Sequence, residues 1–82
     1  MEQINKYSYN QIIKLLLHKH IHFISDCDFF DNFDIKCKVN NISLNYNRNE
    51  IMFDCILMHN KKHITIGSNM KNLQFEIIQD QN

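Results

Sequence analysis

Proline and tryptophan are absent from this 82-residue sequence, and glycine occurs once. With a single glycine the chain holds neither a phosphate-cradling loop nor a G-x-S-x-G nucleophile elbow, since both need glycine where the backbone meets a ligand or turns sharply. An excess of one charge is also missing: 9 basic residues balance 9 acidic ones, for a formal net charge of zero. No overall positive field exists to gather nucleic acid or an acidic membrane surface. The apolar runs Ile12–Ile13 and Leu15–Leu17 are short, split by Lys14 and closed by His18. Neither a membrane span nor the apolar core of a signal peptide is expected. Cysteine is scarce: Cys27, Cys37 and Cys55 are an odd number at wide spacing. Reduced thiols, and with them a cytoplasmic location, are the expectation.

What is present suits a folded domain. Hydrophobic residues make up 44% and charged residues 22% of the chain, ordinary values for a globular protein. A chain of this length buries roughly 60–65% of its unfolded surface, enough for one helix on one sheet and too little for a roomy internal cavity. Residues 1–82 are therefore expected to form one small domain, with 1–6 and 80–82 frayed at its ends.

The segment Ser8–Ser25, SYNQIIKLLLHKHIHFIS, carries a helical signature. Ser8 and Gln11 have capping-box spacing, and Tyr7 and Ile12 stand at hydrophobic-staple positions. At 100° per residue, Tyr9, Ile12, Ile13, Leu16, Leu17, Phe23 and Ile24 share one side. From Phe33 the period changes to two. Phe33–Val39, Ile42–Tyr46, Glu50–Met58, His63–Ile66 and Leu73–Ile77 read as strands, with Asn40-Asn41, Asn47–Asn49 and 59–62 as turns. The expected fold is α+β: one N-terminal amphipathic helix packed on a five-stranded antiparallel meander sheet. A strongly curled, barrel-like sheet is the alternative.

Several clusters invite chemistry. His18, His20 and His22 would align on one side of a strand and suggest zinc; on a helix, His20 turns into the apolar stripe and only the His18/His22 pair could chelate. No third ligand is evident, so solvated histidines are the plainer reading, and no metal or cofactor is expected. Cys37 and Cys55 fall on apolar strand registers, where cysteine behaves as a small hydrophobe. Cys27 lies between Asp26 and Asp28, which would raise its pKa and work against a nucleophile. Asp26, Asp28, Asp31 and Asp34 miss the spacing of a calcium loop.

Binding surfaces carry the functional expectation. Asp28, Phe29, Phe30 and Asp31 set aromatic anchors in an acidic rim, suited to a partner's basic groove. Met52, Ile56 and Met58 fall on the reverse face of the third predicted strand, where a curled sheet, a second copy or another partner must cover them. Lys36, Lys38, Arg48, Lys61, Lys62 and Lys71 are dispersed, and with no net charge direct nucleic-acid contact is disfavoured.

Isoleucine, asparagine and lysine dominate, the bias of an A+T-rich coding sequence and of low-GC bacteria with their phages. In size and composition alone the chain is similar to the small inhibitors that phages and mobile elements carry, anti-CRISPR proteins among them. That likeness implies a non-enzymatic, protein-binding inhibitor, cytoplasmic in its bacterial host, that occludes a larger nuclease or nucleoprotein complex. The other two expectations are a small nucleic-acid-binding domain using the sheet face, and a zinc-dependent protein built on His18 and His22.

Overall fold

A computed structural model describes residues 1–26 and 33–78. The helix starts where its capping signal stands. The Gln11 N–H donates to the Ser8 hydroxyl and the Ser8 N–H donates to the Gln11 side chain, so both halves of the box are made. The helix α1 then runs Tyr9–Leu16 and buries Ile12 and Leu16.

It ends well short of Ser25, and the expected 8–25 helix is corrected to a helix followed by a strand. Leu17 is already extended, and His18 takes a left-handed φ of 67°. The His18 N–H donates to the Val39 carbonyl at 2.8 Å, and strand β2 follows at His20–Ser25. The cause is visible in the residues. From His20 onward Ile21 and Phe23 alternate with His20 and His22, a period of two built from β-branched and aromatic side chains that favour strands. In the sheet this segment finds backbone partners on both sides, which a single amphipathic helix turn cannot match.

The remaining elements are β1 (Glu2–Gln3), a 3-10 turn (Ile4–Lys6), β3 (Phe33–Asn45), β4 (Glu50–Leu57), β5 (His63–Gly67) and β6 (Gln74–Ile77). They form one sheet in the order β1-β6-β2-β3-β4-β5, with every pair antiparallel. The α+β class and the antiparallel sheet stand. The five-stranded meander becomes six strands, because β2 was hidden in the helical period and the first residues supply β1. Only β2 to β5 run as a meander; β6 returns to lie between β1 and β2. The barrel-like alternative is overturned, since β1 and β5 are the two edges of an open sheet. Ile4, next to β1, is buried in the core at 2% exposure.

The expected turn at Asn40-Asn41 is also corrected. The chain runs straight through as part of the 13-residue β3, with a shift of register between Val39 and Asn41. A two-residue hairpin needs positive φ at its centre, and neither asparagine has it. The surplus residue becomes a bulge in the long strand.

One sheet face holds the core. Ile21, Phe23, Cys37, Val39, Ile42, Phe53, Cys55, Ile66 and Phe75 gather there beneath Ile12 and Leu16 of α1. The Phe23 and Phe53 rings lie 5.4 Å apart at their centres. Alternation in the strands sends the odd-numbered residues of β2 inward and His20, His22 and Ile24 to the opposite face.

Candidate functional site

The opposite face is covered by none of the described elements, and its layout follows from the register. His22 of β2 lies opposite Lys36 of β3 and Glu76 of β6; His20 lies opposite Lys38, and Lys38 opposite Ile56, which in turn faces His63. Further along, Asn41, Asp54 and Thr65 form one row, then Ser43, Met52 and Gly67 the next.

Two polar networks lace these rows. Thr65 Oγ1 donates to Asp54 Oδ1 at 3.0 Å and Asn41 Nδ2 to Asp54 Oδ2 at 3.4 Å, tying β3, β4 and β5. On the other side, His22 Nδ1 stands 3.0 Å from Glu76 Oε1, and Nε2 stands 2.6 Å from Asp34 Oδ1. The hydrogen bond to Glu76, followed by that to Asp34 and the field of both carboxylates, holds the His22 imidazolium above its ordinary range against the opposing effect of burial. Between the networks lie the apolar residues Ile56 and Met58, with Met52 beyond; Met52 and Ile56 are half-buried and Met58 is exposed. None of the three packs against the core cluster. A shallow cleft of about 370 Å³, lined by Asp34, Ile35, Lys36, Met58 and His59, opens at the end of this face.

The expected sites are distributed unevenly over this geometry. Met52, Ile56 and Met58 fall on the face assigned to them, at the edge of the mixed-charge rows. Asp28, Phe29, Phe30, Asp31 and Cys27 lie outside the described residues. The flanking pair Ser25 and Phe33 are register partners, so the acidic-aromatic stretch joins two neighbouring strands instead of a helix and a sheet.

The zinc alternative loses its premise. His18 and His22 are no longer one helical turn apart: His18 sits in the turn after α1, and His22 is engaged by Asp34 and Glu76. The strand does bring His20 and His22 to one face, but no three His, Cys, Asp or Glu side chains among the described residues gather to hold a metal. Cys37 and Cys55 lie in the core. Hydrogen bonding to Cys37, then burial, pushes the Cys55 thiol far up, so it stays protonated.

The residues missed by the sequence reading are Asp34 and Glu76 as partners of His22. They stand 12 and 54 residues away, and the only local signal was the alternation His20, His22 against Ile21, Phe23. No described helix is long and apolar enough to cross a membrane. Comparison of the chain with protein-family models, curated proteins and solved structures finds no match.

Proposed function

We propose that the protein is a non-enzymatic protein-binding module that docks a larger partner through the open face of its sheet. The supporting observation is the contrast between the two faces. One is sealed by α1 and the core, while the other presents Ile56, Met58 and Met52 beside Lys36, Lys38, Asp34 and Glu76. Apolar anchors within a charged rim are the composition of a docking patch. The acidic-aromatic stretch Asp28–Asp31 adjoins β3 in sequence and would extend the contact.

Nucleic acid is a poorer occupant of the same face. The carboxylates of Asp34, Asp54 and Glu76 alternate with Lys36 and Lys38. The rows of this face among the described residues hold no Phe, Tyr or Trp, leaving only the imidazoles of His20, His22 and His63 to stack, with His22 already engaged by two carboxylates. The narrower reading, an inhibitor from a phage or mobile element that blocks a host nuclease or nucleoprotein complex, is supported by size and composition.

The test uses the immobilised full chain to capture partners from a low-GC bacterial lysate, beside the double variants Ile56→Asp/Met58→Asp and Phe30→Ala/Asp31→Ala. Loss of a captured protein in the first variant, with an unchanged circular dichroism spectrum, is expected. Undiminished capture by both variants would sink the reading. A second copy of the chain is the competing occupant, and it would appear as a doubled mass in light scattering that the Ile56→Asp/Met58→Asp variant halves.

A further inference from the structure

Hydrogen-bond accounting at His22 fixes its protonation state. A carboxylate at neutral pH accepts hydrogen bonds and cannot donate. Both His22 ring nitrogens lie within hydrogen-bond distance of a carboxylate oxygen, Nδ1 on Glu76 and Nε2 on Asp34. A neutral imidazole carries one N–H and could satisfy one of them, turning the lone pair of its other nitrogen toward the second carboxylate. Only the imidazolium donates to both.

The position of the ring gives this proton mechanical consequence. β2 is the strand that joins β3 to β6, and the clasp spans all three strands. β6 is only 4 residues long, and its other neighbour, β1, has 2. The β1–β6 edge therefore hangs on β2 through a short ladder, with the His22–Glu76 pair inside it. β3, by contrast, is 13 residues long, held by β2 over Phe33–Lys38 and by β4 over Cys37–Asn45. When the clasp loses its proton, the weaker-held arm is Glu76. Phe75 stays anchored in the core at 3% exposure, so the edge loosens without leaving.

The groups facing His22 are Asp34 and Lys36 on β3, Glu76 on β6 and His20 on its own strand. Lys36 opposes the proton, and the two bonded carboxylates outweigh it.

We propose that Asp34, His22 and Glu76 form a proton-operated clasp that holds strand β6 tightly to the sheet and loosens it as the pH rises. The clasp acts on the fold itself and does not depend on what the open face binds.

The test is a titration of the isotope-labelled full chain by NMR from about pH 5.5 to about pH 8.5, bracketing the ordinary histidine value of about 6.5. Ring nitrogen shifts of His22 and amide protection factors of residues 74–77 are read together. The clasp requires both ring nitrogens to be protonated below a midpoint that lies above the ordinary value. Protection of β6 then falls at least about threefold across that midpoint, while β4 and β5 hold. Glu76→Gln removes the fall, because a glutamine amide can accept from the imidazolium or donate to the neutral ring; the exposed side chain makes this an unstrained change. His22→Gln removes it too. A His22 midpoint at or below the ordinary value, an equal fall in every strand, or a fall that persists in Glu76→Gln would overturn the proposal.

Discussion

Gly67, the lone glycine, lies opposite Met52 on the outer face, and the Glu50 carboxylate folds over it. Its φ is not positive, so the requirement is space. A Cβ at this position would stand 2.5 Å from Glu50 Cδ, which no real contact allows. Glu50 is itself nearly buried, accepting from the Asn69 N–H at 3.0 Å with Arg48 Nε 3.7 Å away. The carboxylate thus secures the turn after β5, and the missing side chain admits it. Gly67→Ala is expected to cost about 1–3 kcal/mol by overpacking. In a Glu50→Ala background the same change should cost less than half as much, which a double-mutant cycle by urea denaturation measures. His22 makes a second prediction at this scale. Its folded-state pKa is raised, so the folded chain binds the proton more tightly than the unfolded chain. The resulting stability is present in full below the unfolded value of about 6.5 and is lost as the pH rises through the folded value. The urea midpoint of the native chain should fall between about pH 6 and about pH 8 relative to that of His22→Gln. A parallel course for the two would assign no linkage to this residue.

Elements show what their residues make legible. Ser8 and Gln11 announce the start of α1 because a cap is a local device, complete within four residues. Ser8→Ala should destabilise the fold by about 1 kcal/mol, read from the thermal midpoint. The end of α1 has no such marker. The residue after the cap, His18, occupies a left-handed position that glycine usually fills, so nothing in the letters says stop. Two periods overlap there: Leu16 and Leu17 continue the helical stripe while Ile21 and Phe23 begin a strand. Tertiary partners on β3 and β6 decide between them, and those partners are distant in sequence. His18→Gly should therefore stabilise the protein by about 0.5–1 kcal/mol through relief of the left-handed strain. A loss of stability would mean that the imidazole itself has a structural task. The strands from β3 onward are legible as period-two runs because each has one wet and one dry face. The bulge at Asn40 is not, since asparagine pairs serve turns and bulges alike. A 2-residue β1 has too few residues to carry a pattern at all.

At the scale of the molecule, the decisive fact is that one sheet has one roof. Among the described residues, α1 and the 3-10 turn with its buried Ile4 cover the inner face, leaving a body 23 Å thick at its narrowest. Nearby residues of β4 and of the turn that follows it then belong to different worlds. Phe53 is 0% exposed against the Phe23 ring, while Ile56 and Met58 point away from that cluster. Phe53→Ala should cost about 3–5 kcal/mol, a large share of the 5–15 kcal/mol that holds a typical domain. Ile56→Ser, three positions on, should cost no more than about 1 kcal/mol, because its removal opens no cavity in a sealed core. The pair of measurements separates a face kept for a partner from a face that supports the fold. If Ile56→Ser destabilised the isolated chain as much as Phe53→Ala, the outer face would be structural, and a docking role for Met52, Ile56 and Met58 would have no surface left to act through.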